Sequence, residues 1–508
     1  MQAHQLRQIR LEEMTMSEIK DTQQHPRVEI AVKNFGPIAE ANIDLRPLTV
    51  FVGPSNTGKT YFATLVYALH GAFNGLSDSS LLSPVESGIM GVLNQLLNGL
   101  ATPRKNILEV LNKLSIDERP FKFSDLSKEM RQKLDVIIKE TDFFTERLQD
   151  ELKNCFDLNS ISGLMRLTGE QLNEVTFLLK IGEKGREYWN IKMQASESEV
   201  KIDNSAALNN PTYDDMVLLP NGWSAFGELL ADDNRVRIGS LSRRRDEGSR
   251  YYLPAARSGI MQGHRIIVSS LVTRATRVGL ERFPETPTLS GIIADFMEKI
   301  ILYDDKKRPN AEMIHLAETL ETEVLVGQVR VKLSASGYPD FRYLPQGSNE
   351  EIRLSQSSSM VSELAPLVLY LRGLVQPGDT LIIEEPEAHL HPGAQADMAV
   401  ILARLVRAGV KVIITTHSDW MLQEIGNLIR VGELEEVGEK VNELPISLEK
   451  EDVGVWHFQK NGEVEEIPYN RIDGVEPMEY LDVAEDLYNR SARLQNRLEA
   501  TKGDSERE

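Results

Sequence analysis

Gly53-Pro54-Ser55-Asn56-Thr57-Gly58-Lys59-Thr60 fits the spacing GxxxxGK[ST], a pattern suited to cradling phosphate. Glycines at both ends let the backbone wrap an anion without a Cβ in the way, so successive N–H groups and a helix start can face the charge. Lys59 is placed to neutralise the β/γ-phosphates, and the Thr60 hydroxyl to hold Mg²⁺. The flanks agree with this. Leu48 to Val52 is a short apolar run of buried-strand type, and residues 60–73 read as a helix. A glycine-rich turn that merely opens a helix is the competing reading.

A second group of reactive types lies 325 positions beyond Lys59. Thr380-Leu381-Ile382-Ile383 reads as a buried strand, and it ends in Glu384-Glu385-Pro386-Glu387. Carboxylates gathered at the end of a buried strand are costly unless a cation sits there, and Mg²⁺·ATP supplies one outside the strand C-termini of an open α/β sheet. Glu384 would face the metal, directly or through water, and Glu385 would act as general base on the attacking water. A third strand, Val410 to Ile414, ends in Thr415-Thr416-His417-Ser418, where His417 could sense or stabilise the γ-phosphate. Ahead of the carboxylates, Leu354-Ser355-Gln356-Ser357-Ser358-Ser359 opens an amphipathic helix interrupted by Pro366. Its hydroxyls and N–H groups could hold an anion or simply cap the helix.

The elements that must position these residues follow from hydrophobic periodicity. Residues 1–26 lack it and read as a disordered tail. Val28 to Val32 and Ala41 to Leu45 alternate as a hairpin around Gly36-Pro37, feeding the Leu48 strand. Arg104 to Leu179 has near-helical spacing without sustained heptads, Tyr188 to Ile202 alternates, and Glu323 to Leu333 with Tyr338 to Leu344 suggests a further strand pair. Residues 393–408 read as a helix. This is an α/β chain with a largely helical insertion.

Composition bounds the partners. The 508 residues carry a formal net charge of −20, with 41% hydrophobic residues and one cysteine, Cys155. That is globular material without an internal disulfide or a CxxC knuckle. The apolar runs are cut by charges before the roughly 20 residues of a membrane span, and the N-terminus has no apolar leader core, so a cytoplasmic protein is expected. The acidic balance argues against nonspecific coating of nucleic acid. One region is basic, with Arg243, Arg244, Arg245, Arg250, Arg265, Arg274, Arg277 and Arg282; residues 243–282 could touch phosphates or form a solvated face.

Taken together, these motifs resemble the ABC-type P-loop ATPases of the SMC, RecF and OLD-like branch, the AAA15-type AAA ATPases. Asn34-Phe35-Gly36-Pro37-Ile38 with Ile43-Asp44-Leu45 and Pro47-Leu48-Thr49 is similar to that branch's N-terminal hairpin, and 53–60 to its Walker A. Residues 382–392, Ile-Ile-Glu-Glu-Pro-Glu-Ala-His-Leu-His-Pro, resemble its Walker B and D-loop, and Thr415-Thr416-His417-Ser418 its switch histidine. Tyr251-Tyr252-Leu253-Pro254-Ala255-Ala256-Arg257-Ser258 looks like a PAxR segment, in which Arg257 would couple the insertion to the nucleotide.

The resemblance implies an ABC-type core in two parts, 27–75 and 345–470, around an insertion at 76–344, with a C-terminal helix and tail at 471–508. It implies ATP and Mg²⁺ as ligands, with 53–60 and Tyr61 on the nucleotide, Thr60 and Glu384 on the metal, and Lys59, Glu385 and His417 in catalysis. Ser357 and Ser358, standing where transport ATPases have LSGGQ, would reach the γ-phosphate of a second copy, giving a homodimer or a higher homo-oligomer of dimers. Transport motors fit poorly, because Lys59 and Glu384 are too far apart in sequence and no membrane segment is expected. The chain shows neither SMC-length heptads nor, in the 91 residues after His417, the DxD of an OLD nuclease. The expected function is therefore an ATPase switch that regulates a separate effector, a nuclease or toxin, as in two-component anti-phage systems. A RecF-like ATPase that binds DNA directly is the alternative.

Overall fold

The computed structural model describes residues 27–74, 121–122, 142–168, 171–172, 175–183, 186–195, 200–203, 217–218, 249–263, 289–304, 310–333, 339–439, 441, 444–475 and 486–498. In chain order its main elements are β1 (Arg27–Phe35), β2 (Ile38–Leu45), β3 (Leu48–Val52), α1 (Lys59–Asn74) and α2 (Asp142–Phe156). Then come β4 (Val175–Glu183), β5 (Arg186–Ala195), β6 (Val200–Asp203), β7 (Arg250–Leu253), α3 (Gly291–Ile301), α4 (Ala311–Thr319), β8 (Gly327–Leu333), β9 (Pro339–Pro345) and β10 (Ile352–Arg353). The last are α5 (Ser359–Gly373), β11 (Thr380–Glu384), α6 (Pro392–Arg407), β12 (Lys411–Thr416), α7 (Asp419–Glu436), β13 (Val453–Phe458) and β14 (Val464–Glu466).

The central sheet runs β7-β11-β12-β3-β13-β14, parallel except for the antiparallel edge strand β14. Both its faces are covered, which is why its strands read as continuous apolar runs. Period-two geometry divides each strand between two cores. Leu48, Val50, Val52, Leu381, Ile383, Val412 and Ile414 pack on the face holding α4, α5, α6 and α7, whereas Phe51, Ile382 and Ile413 pack on the face holding α1. The second core also receives the antiparallel sheet β2-β1-β4-β5-β6. Between them Phe35 meets Tyr61, Phe156 and Phe177 at centroid distances of 4.6, 5.7 and 5.2 Å.

The segment 76–344, expected to be rich in helix with some strands, has both among its described residues. It contributes β7 to the central sheet and β4, β5 and β6 to the antiparallel one. Helix α4 packs against the first core and α2 against the second. Residues 175–179 are strand, because Ile30 pairs with Leu179 and Val32 with Phe177 across β1 and β4. Sustained local spacing was misleading where a distant strand supplied the partner. The expected strand pair after residue 320 is present as β8 and β9, preceded by a π-helical turn at Leu320–Leu325. Helix α5 runs through Pro366 and is buried almost all round rather than amphipathic. The tail at 1–26 and the arginines of 243–282 other than Arg250 lie outside the described residues. Arg250 is not free for phosphate: its guanidinium sits 3.9 Å from the Tyr67 ring centroid and 3.1 Å from Glu151 Oε2. Residues 486–498 form a helix exposed along its length. No described helix is long and apolar enough to cross a membrane.

Burial makes one histidine of helix α1 pH-sensitive. His70 on α1 is 1% exposed, and burial, aided by Arg250 and Lys411, pushes its imidazole down to about 3. The unfolded chain takes up a proton near the ordinary value of 6.5 that the folded chain refuses, so this contribution is complete above 6.5 and is lost as pH falls toward 3. Urea midpoints measured from pH 7 to 5 should fall with a His70 share of up to about 1.4 kcal/mol per pH unit. His70→Gln should flatten that slope, and an unchanged slope would exclude the assignment.

Candidate functional site

Register brings the separated motifs together. Glu384 of β11 lies opposite Thr415 of β12, and Thr416 lies opposite Val52 of β3. The three strands therefore end at one edge of the sheet, with the loop after β3 two strand spacings, about 10 Å, from Glu384. The chain between Lys59 and Glu384 returns to that edge because parallel strands need crossovers that start and finish at opposite edges.

The loop is shaped by backbone geometry. Gly53 has φ 136°, and a Cβ there would stand 2.3 Å from the Phe458 carbonyl oxygen; Gly58 has φ 106°, with Ile38 Cγ1 2.7 Å from its Cβ position. Both positions exclude larger residues, which explains the glycine spacing. Asn56 is left-handed at φ 64°, and the Thr57 hydroxyl donates to the Pro54 carbonyl at 2.9 Å. Among the described hydrogen bonds, none uses the N–H groups of Asn56, Thr57, Gly58, Lys59 or Thr60 as donors. They form a row of open donors at the start of α1. Lys59, 6% exposed, folds over this loop and donates to the carbonyls of Gly53 at 2.8 Å and Pro54 at 2.7 Å. Burial pushes its ammonium down to about 8, against the opposing pull of Glu385 and Glu387.

The carboxylates are held differently from one another. Glu384 is buried, and it accepts from the Tyr252 hydroxyl on one oxygen and from the Ala255 N–H on the other, at 2.8 Å. Burial raises its carboxyl, while those two donors oppose the rise. Glu385 adopts φ 43°, a left-handed conformation that costs an L-residue about 1–2 kcal/mol. Its N–H donates to the Thr415 carbonyl at 2.9 Å. His417 stands beside the pair, its imidazole pushed down by partial burial and by Lys59, with Glu385 opposing.

Three expected contributors need adjustment. The Tyr61 side chain does not face the loop: it packs 4.6 Å from Phe35 and from Phe156, and its hydroxyl donates to the Gly163 carbonyl at 3.2 Å. Only its backbone is left to serve a phosphate. Ser358 caps α5 by accepting from Val361 N–H at 3.3 Å, and the Ser357 hydroxyl donates to the Leu354 carbonyl at 2.6 Å. Among the described residues, their hydrogen bonds all stay within 354–362, and none reaches the phosphate loop. Sequence reasoning missed Glu387, whose Oε1 accepts from His417 N–H at 2.7 Å while its buried Oε2 has no hydrogen-bond partner. It also missed Tyr252 and Glu363. Glu387 was legible as the fourth member of the acidic cluster; the other two become polar partners only through tertiary contacts.

Residues 285–422 match the AAA ATPase domain family model, a span that takes in Glu384, Glu385 and His417 but not the phosphate loop. Over that span the chain is similar to AAA ATPase domains, and its fold is mixed α/β around a mostly parallel central sheet. No curated protein matches the chain. Similar solved structures include an SMC head bound to the C-terminal winged-helix domain of ScpA, at 10% identity and TM-score 0.38, covering 86% of this chain and 96% of that one. Others are an SMC head with an extended coiled coil bound to the C-terminal domain of ScpA, derived from Pyrococcus furiosus (11%, TM-score 0.36, 91% and 100%), and the SMC head domain from Thermotoga maritima (10%, TM-score 0.36, 87% and 99%). At these scores the likeness bears on neither ligands nor partners.

Proposed function

We propose that this chain binds and hydrolyses ATP as a switch, and that two copies close head-to-tail around the nucleotide to signal to a separate effector. The observation that carries the reading is the row of open N–H donors with Lys59 folded over it, two strands from Glu385. An anion of several charges replaces the carbonyls of Gly53 and Pro54 as the partner of Lys59 and takes the open donors as well. Glu385 accepts a proton from the attacking water, and His417, its backbone fixed by Glu387, donates at the γ-phosphate.

The donor set fits Mg²⁺, which keeps several waters and takes only one or two protein oxygens beside substrate phosphates. The exposed Thr60 hydroxyl would be the direct ligand, and Glu384, whose two oxygens already accept protein donors, would act through water. The ion would supply charge neutralisation at the β- and γ-phosphates. Ser357 and Ser358 stand at the start of α5, hydrogen-bonded only within their own segment among the described residues, and a twofold axis would give each copy the other's loop. The effector, a nuclease or toxin in an anti-phage system, follows from the resemblance of the motifs to such two-component ATPases.

Light scattering with Mg²⁺·ATP should show a dimer for Glu385→Gln and a monomer when Ser358→Arg is added. Full ATP turnover by Ser358→Arg as a strict monomer would remove the shared site and leave a self-contained ATPase.

A further inference from the structure

Arg257 is 1% exposed and is among the largest side chains wholly buried in the described chain. It follows β7 at the end of the Pro254-Ala255-Ala256 turn, and all three guanidinium nitrogens have partners. Nε donates to the Glu363 carbonyl at 3.0 Å and lies 3.1 Å from Glu363 Oε2. Nη1 donates to the carbonyls of Pro254 at 3.2 Å and Glu384 at 2.6 Å, and Nη2 to the carbonyl of Glu385 at 3.0 Å. A buried guanidinium is retained at a cost in desolvation, and an apolar residue of similar volume would fill the space as well. What the apolar residue could not do is grip three separate segments at once.

Those segments are specific. One is the peptide of Glu384 and Glu385, where Glu385 stands in its left-handed turn at φ 43°. Another is the second turn of α5, the helix that opens at Ser358. Glu363 is fixed there in turn, since its Oε1 accepts from the Ser258 hydroxyl and lies 3.9 Å from Nε2 of His389, just past the carboxylates. We propose that Arg257 and Glu363 are a positioning pair that holds Glu385 in its attacking geometry and makes that geometry depend on where the Ser358 helix sits. This rests on the reading of Glu385 as general base and of Ser358 as the group offered to a second copy. Engagement of Ser358 by a partner's nucleotide then reaches the base through one buried ion pair, so that hydrolysis follows closure.

Arg257→Lys tests this, because the ammonium keeps the charge but cannot span acceptors on the same three segments. Turnover should fall about 10–100-fold, the effect of displacing a reacting group by about 1 Å, while ATP affinity by equilibrium titration and the thermal midpoint change little. Glu363→Gln, which keeps the backbone acceptor and loses the ion pair, should give the same split between kcat and affinity. It carries the test if Arg257→Lys fails to fold. In a Glu385→Gln background neither substitution should lower turnover further. Wild-type kcat in both variants while Glu385→Gln is inactive, a parallel loss of affinity and turnover, or a further loss on top of Glu385→Gln would each overturn the positioning role. Full turnover by Glu385→Gln would instead overturn the reading beneath it.

Discussion

Lys59→Ala should bind ATP at least about 30-fold more weakly than the wild type, since truncating one partner of a buried charged contact costs about 2–5 kcal/mol. Lys59 is the one cation folded over the phosphate loop among the described residues, and its present partners are only the carbonyls of Gly53 and Pro54. Its lowered value gives the binding a pH signature. The free site loses the Lys59 proton as pH rises through about 8, whereas bound phosphates hold that proton in place. ATP affinity measured by titration should therefore be level below pH 8 and weaken by up to about tenfold per unit above it. In Lys59→Ala that slope should vanish. Undiminished affinity in the variant would move the nucleotide elsewhere.

Glu385→Gln should retain ATP affinity and lose about 10²–10⁴ in kcat, the usual share of a general base. Its amide fits the same left-handed backbone and keeps the N–H bond to Thr415 and the carbonyl bond from Arg257, so the change is confined to proton acceptance. Single-turnover hydrolysis with bound ATP in excess of dissociation separates the two terms. A wild-type rate would shift the base to another group, with the carboxylates of Glu384 and Glu387 as the candidates at the same strand end.

The local parts of this molecule were legible in its sequence because they are decided by nearest neighbours. The loop at 53–60 is a matter of glycines, one lysine and a helix start, and its two glycines occupy backbone positions that leave no room for a Cβ. The buried strands ending at Val52, Glu384 and Thr416 announce themselves as apolar runs, since a sheet covered on both faces needs no alternation. The hairpin of β1 and β2 likewise follows from alternation around one turn.

What only the tertiary structure decided is who answers whom across long separations. Strand β4 reads ambiguously until β1 pairs with it, and β7 joins the central sheet from within a stretch whose own pattern gave no hint of it. Arg257 was visible as part of a motif, but its grip on the Glu384 and Glu385 carbonyls and on Glu363 depends on β7 lying beside β11 and on α5 crossing their ends. Tyr61 follows the phosphate loop directly in sequence, yet its ring belongs to the aromatic cluster of Phe35 and Phe156. Residue type and spacing determine which groups can do chemistry, because bonding preferences travel with the side chain. Desolvation and strand register determine which of them meet and in what charge state, because those depend on every segment that packs against them at once.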